Sequence, residues 1–158
     1  MSATPVLRAA TPEDAALISR ITREAWAGRV HPSSSAYRET EQHIAEQIRE
    51  GGGLILSVGE IPVGSARYSP VPGAWEVRRM GVLPPYRGRG YAELMMEAVV
   101  ERALAGGITE LRVAVRHDQP RLIGFYASMG FVLAPELEYA HANPDNPPPT
   151  VLRRLLAV

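Results

Sequence analysis

Between Leu54 and Leu83 the chain places three strand-length runs, LILSV, IPVGSARYS and AWEVRRMGVL, almost end to end. Only Gly59 and Glu60 separate the first two, and Pro70 to Gly73 the second and third. β-Branched and aromatic residues bounded by Gly and Pro read as strands, and links this short can join only antiparallel neighbours. A three-strand meander is therefore the element around which everything else must be arranged, with its apolar faces covered by helices.

The flanking segments supply those helices. TPEDAALISRITREAW opens with Thr11 as N-cap, Pro12 at the first helical position and Asp14 as the capping carboxylate, and Leu17, Ile21 and Ala25 recur on one side. After VHPSSS, a second helix is expected from about Ala36 to Glu50, with Tyr37, Ile44 and Ile48 on one side and Gly51 to Gly53 as its stop. Downstream, Tyr91, Leu94, Met95, Ala98 and Val99 give a helix from about Arg89 to Ala105, whose Glu93, Glu97 and Glu101 form a solvated stripe. LRVAV then reads as a strand, QPRLIGFYASMG as a short helix closed by Gly130, and FVLAPELEYA and TVLRRLLAV as strands joined by NPDNPPP. The order β-α-α-β-β-β-α-β-α-β-β predicts a mixed sheet with helices packed over it, one α/β domain spanning residues 1–158.

Composition narrows the chemistry. There is no Cys, hence no disulfide, thiolate metal site or cysteinyl nucleophile. His31, His43, His117 and His141 lie too far apart for a spaced ligand pair, so no metal is expected. Arg and Lys together number 17, as do Asp and Glu, without the basic excess that nucleic-acid binding usually shows. No charged-then-apolar leader and no apolar run of about 18 residues is present, and a cytoplasmic, non-membrane chain is expected.

The segment VLPPYRGRGYAEL, Val82 to Leu94, sets glycines and arginines where the third helix begins. A P-loop would need a Lys after its last glycine, and a dinucleotide fingerprint from Gly88 would need a small residue at Glu93. What remains is a helix N-terminus whose free amides face a turn in which Gly lets a bulky anion approach the main chain, with Arg87 and Arg89 adding positive charge. RGRGYA (Arg87 to Ala92), preceded by V-x-P-x-Y (Val82, Pro84, Tyr86), resembles the R/Q-x-x-G-x-G/A signature of the GNAT family of acyl-CoA-dependent N-acetyltransferases. FYASMGF (Phe125 to Phe131) is similar to that family's second motif, with Tyr126 in the tyrosine position. The likeness covers roughly Trp75 to Phe131.

That resemblance implies a mixed, mostly antiparallel sheet of about seven strands flanked by about four helices, and acetyl-CoA as cosubstrate. It implies that the main chain at Met80, Gly81 and Val82 leaves the next strand and pairs with the pantetheine arm. The amides of Arg87, Gly88, Arg89, Gly90, Tyr91 and Ala92 would hold the pyrophosphate, and Gln119 stands where the family usually has Asn. With neither Cys nor a Ser paired to His in any motif, direct attack of an amine on the thioester is expected. Tyr126 would protonate the departing thiolate. Glu76 is the first candidate for the base, directly or through water, its other reading being an ion pair with Arg78 or Arg112; His117 is the second. Same-side alternation places Glu76, Arg78, Met80 and Val82 together unless a bulge near Gly81 intervenes. Trp26, His31, Tyr37, Tyr68, Tyr139, His141 and NPDNPPP border the acceptor side without identifying the amine. The alternatives are a silent acyl-CoA sensor or a nucleotide-phosphate enzyme, and TVLRRLLAV points to a homodimer through the terminal strands.

Overall fold

A computed structural model describes residues 4–27, 39–137 and 147–157. In chain order the elements are β1 (Pro5–Ala9), α1 (Ala15–Trp26), α2 (Glu41–Glu50), β2 (Gly52–Val58), β3 (Ile61–Val71), β4 (Ala74–Val82), α3 (Tyr91–Ala105), β5 (Glu110–Val115), α4 (Arg121–Ala127), β6 (Val132–Leu133) and β7 (Thr150–Leu155). This is the predicted order. One seven-stranded sheet runs β1-β2-β3-β4-β5-β7-β6. Its pairs are antiparallel except β4 with β5. The β2-β3-β4 meander forms as expected.

Both sheet faces are covered, so the central strands alternate between two cores. In β2, Leu54 and Leu56 face the α3 side with Met95, Met96 and Val99, whereas Ile55 meets Ile18, Ile44 and Ile48 of α1 and α2. Helix α1 buries Ile18, Ile21 and Ala25, with Leu17 only half-buried, so its inward face is turned slightly from the expected stripe. In α3, Met96, Val100 and Ala103 join the core and Leu94 is 43% exposed, while Glu93, Glu97 and Glu101 face solvent. Helix α2 starts at Glu41, its Thr40 cap accepting from the His43 amide at 3.0 Å; residues 36–38 lie outside the described residues. Of the strand expected over FVLAPELEYA, the described residues 131–137 form one only at Val132–Leu133. Pro135 has no N–H for a ladder, and the Leu137 amide closes a turn onto Ala134 O at 3.0 Å instead.

The predicted cap before α1 is present, but Pro12–Asp14 forms a 3-10 turn rather than the first α-turn. The Thr11 amide donates to the Asp14 carboxylate at 2.8 Å, and Arg8 donates two bonds of 2.8 Å each. Those bonds, foremost from Arg8, lower the Asp14 pKa to about 2. A depressed folded-state pKa contributes stability above the unfolded value of 3.8 and loses it as pH falls towards 2. Asp14→Ala is therefore expected to cost about 1 kcal/mol at pH 7. Urea denaturation should find that difference shrinking between pH 4 and pH 2.

Candidate active site

Strand β4 is shared unequally by its neighbours. With β5 it pairs only at Trp75–Leu111 and Glu76–Arg112, while β5 continues against β7 as far as Val115–Thr150. The β5-facing edge of β4 is thus released after Glu76. On the other edge Arg67 pairs with Arg78 and Ser65 with Gly81, so Arg79 and Met80 together oppose Ala66 as a bulge. Arg79 has φ 53°, the one non-glycine residue in the left-handed region among the described residues. Holding it there costs about 1 kcal/mol.

The bulge reverses the strand's phase. Glu76 and Arg78 share the α1/α2 face with Ser69 and Arg67, their cross-strand partners. Met80 and Val82 turn to the opposite face, into the core with Tyr91 and Met95. The bulge near Gly81 that the sequence left open is thus present, and because its extra residue comes before Met80, Glu76 and Arg78 lie on one side and Met80 and Val82 on the other. Gly81 faces α1, where an added Cβ would stand 2.9 Å from Ala25 Cβ and 3.2 Å from Trp26 Nε1. Only Gly permits that approach.

Where β4 is released, a cleft of about 480 Å³ opens. Its walls are Ala25 and Trp26 at the end of α1, Met80 to Val82 on β4, and Arg121, Leu122, Phe125 and Tyr126 on α4. Its floor is the turn into α3, with Tyr86, Arg87, Gly88, Gly90, Tyr91, Ala92 and Glu93. The cleft therefore brings Tyr126 together with Met80, Gly81, Val82, Arg87, Gly88, Gly90, Tyr91 and Ala92. It does not include Glu76, Arg89, His117 or Gln119.

The turn has the geometry the sequence requires of it. Gly88 and Gly90 have φ 77° and 80°, which glycine adopts without the cost other residues incur. A Cβ on Gly88 would meet nothing within 4 Å, and one on Gly90 would meet only Glu93 Oε2 at 3.9 Å. Space is thus left beside the main chain just where α3 presents its unpaired first amides, and Gly90, its N-cap, has no side chain to fill it. That cradle fits a diphosphate.

The signature arginines shape this turn. Arg87 donates Nε to Val82 O at 3.1 Å and Nη2 to Ala25 O, tying the turn to β4 and to the C-terminal end of α1. Arg89 lies over the Tyr86 ring, 5.5 Å from its centroid, and donates to Pro85 O at 3.4 Å. Two further charged residues line the cleft: Arg121, which sequence reasoning did not single out, and Glu93, which it placed only on a solvated stripe.

Tyr126 is 8% exposed and packs edge-on between Phe125 and Phe131, with centroids at 5.3 and 5.8 Å. Burial pushes its phenol up to about 12, so the hydroxyl stays protonated throughout the neutral range. Glu76 is buried and accepts from Arg78 Nη2 at 3.1 Å, the ion pair expected as its other reading. His117 is exposed on the turn after β5. Gln119 is buried, and its Oε1 accepts from Arg121 Nη2 at 2.9 Å. Tyr68 stacks on Trp75 at 4.6 Å and accepts from Arg102 at 3.3 Å, a core contact. His31, Tyr37, Tyr139 and His141, with most of NPDNPPP, lie outside the described residues.

On the α1/α2 face, Arg67 is 2% exposed and donates to both Glu39 oxygens and to Gln47 Oε1, each at 2.8 Å. Burial opposes the charge on Glu39, but hydrogen bonds and charge from Arg67, with Arg79 at 3.6 Å, more than offset it and lower its pKa. The bulge thus sits between a partly buried ionic cluster and the cleft.

The chain is similar to known proteins in sequence and in fold. The sequence profile of the acetyltransferase (GNAT) family matches residues 18–131. The uncharacterized N-acetyltransferase YjcF of Bacillus subtilis is 28% identical over 103 residues, 65% of this chain and 71% of YjcF. An acetyltransferase of Yersinia pestis is 35% identical over 52 residues, a match spanning 33% of this chain and only 37% of the relative's length. The PaiA N-acetyltransferase of Thermoplasma acidophilum, crystallised in complex with coenzyme A, superposes with a TM-score of 0.78 over 96% of this chain and 99% of its own, at 14% identity. With both motifs lining one cleft and the family profile running from α1 to Phe131, the chain belongs to the GNAT family of acetyltransferases.

Proposed function

We propose that the protein transfers an acetyl group from acetyl-CoA to a primary amine of a small molecule or peptide, by direct attack within a ternary complex. The observation that carries this reading is the single cleft joining the open cradle at the α3 N-terminus to the buried phenol of Tyr126. The amides from Arg87 to Ala92 hold the diphosphate. The released edge of β4 from Met80 to Val82 pairs with the pantetheine arm, and a main-chain N–H near Met80 polarises the thioester carbonyl. Tyr126 donates a hydrogen bond to the departing sulfur while the carbon–sulfur bond breaks.

An amine with pKa about 10.4 must first lose a proton. Glu76 takes it through water, because its carboxylate lies on the α1/α2 face, away from the cleft, and is paired with Arg78. The acceptor accordingly approaches from that face, through the gap that β4 and β5 leave beyond Glu76. Gln119 acts on the coenzyme side. The chain works in the cytoplasm, and no described helix is long and apolar enough to cross a membrane. A homodimer through the terminal strands is supported by Val132, Leu133 and Leu155, exposed by 62%, 58% and 71% at that end of the sheet. A monomeric mass in light scattering would remove the dimer.

An amine library assayed by release of free coenzyme thiol tests the activity. Amine-dependent release supports the reading. Coenzyme binding without release for any amine instead supports a silent acyl-CoA sensor, the alternative that the Glu76–Arg78 pairing favours. A smaller effect is expected at Glu93, whose carboxylate competes with phosphate for the mouth of the α3 cradle. Glu93→Gln should tighten CoA binding about threefold, as a gain of about 0.6 kcal/mol would give. Isothermal titration would show it.

A further inference from the structure

The signature arginines leave a question of charge. A coenzyme of several phosphates calls for more than one cation at this cleft; Arg87 lines it but commits Nε and Nη2 to the Val82 and Ala25 carbonyls, and Arg89 lies outside the lining, over Tyr86. Glu93 contributes a negative charge to the same floor. On the α4 wall stands Arg121, which lines the cleft.

Arg121 is held from behind by a buried neighbour. Gln119, 7% exposed, accepts from its Nη2 at 2.9 Å. An amide oxygen orients a guanidinium without cancelling its charge, which a carboxylate at the same place would do. The remaining N–H donors of the fork stay suited to a phosphate.

We propose that Arg121 is a specificity-determining cation that grips a coenzyme phosphate, with Gln119 as its positioning residue. The inference rests on the acyl-CoA reading above. The phosphate is either the diphosphate or the 3′-phosphate, two sources of one chemistry.

Calorimetric titration of the full chain with CoA, dephospho-CoA and pantetheine tests it, using wild type, Arg121→Gln, Gln119→Ala and the double variant, with thermal melts to confirm folding. Arg121→Gln is expected to weaken CoA about tenfold and leave pantetheine unchanged. An equal loss for dephospho-CoA identifies the diphosphate, and a loss confined to CoA identifies the 3′-phosphate. Gln119→Ala is expected to weaken CoA several-fold in the presence of Arg121 and to add nothing in the double variant, a coupling that a purely structural role would not produce. Wild-type CoA affinity in a folded Arg121→Gln protein, or an equal loss for pantetheine, overturns the proposal while leaving the acyl-CoA reading intact. Failure of the wild type to bind CoA at all overturns both.

Discussion

Replacing Tyr126 with Phe is expected to lower kcat about a hundredfold and to change the Kd for CoA by less than about twofold. The ring stays, with its edge-on contacts to Phe125 and Phe131, so packing and the cleft wall are retained. Only the hydroxyl is lost. With the phenol pushed up to about 12, full proton transfer to a thiolate of pKa about 8.5 is uphill by about 5 kcal/mol, so the hydroxyl acts chiefly as a hydrogen-bond donor while the carbon–sulfur bond breaks. The same shift sets a pH signature. Tyr126 stays protonated well above neutrality, so kcat/KM should climb with pH towards the amine pKa of about 10.4, without a falling limb from the tyrosine. Stopped-flow thiol release across pH should find the Phe variant's profile lower and of the same shape. A falling limb near pH 9 that disappears in the variant would contradict the assignment.

Gly90→Val is expected to weaken CoA binding by at least about a hundredfold, near 2.7 kcal/mol. A branched side chain at φ 80° meets the left-handed penalty of about 1–2 kcal/mol, and its methyls occupy the cradle where the diphosphate is to sit. The two effects separate by comparison with Gly107→Val. Gly107 has φ 77° and open space around its would-be Cβ, but lies just beyond the other end of α3. The control should lose similar thermal stability and keep its coenzyme affinity. Equal affinity loss in both variants would mean that backbone strain, not the filled cradle, is responsible.

The framework was legible because local signals agreed with one another. Short Gly and Pro links dictate the meander, Thr11 and Asp14 mark the entry to α1, and the RGRG run marks the turn into α3. The bulge expected near Gly81 falls at Arg79 and Met80, just before it; its left-handed residue was hidden because such a residue is normally betrayed by Gly, and here Arg79 adopts that conformation two positions before the glycine that drew attention. Arg87 was read as added positive charge at the turn, and nothing local indicates that its side chain also reaches the Ala25 carbonyl, 62 residues away. The Arg67–Glu39 pair, 28 residues apart, was hidden in the same way. Leu94 fits a helical stripe but sits on the rim of the covered face, and Pro135 ended β6 before tertiary contacts could extend it.

A crystal structure of the protein grown with a non-reactive thioether analogue of acetyl-CoA tests the central claim most directly. The diphosphate should lie within hydrogen-bonding distance of the amides between Arg87 and Ala92, with the sulfur beside Tyr126 Oη and the arm along Met80 to Val82. An analogue bound elsewhere, or a cleft closed by its own side chains at saturating ligand, would contradict the account.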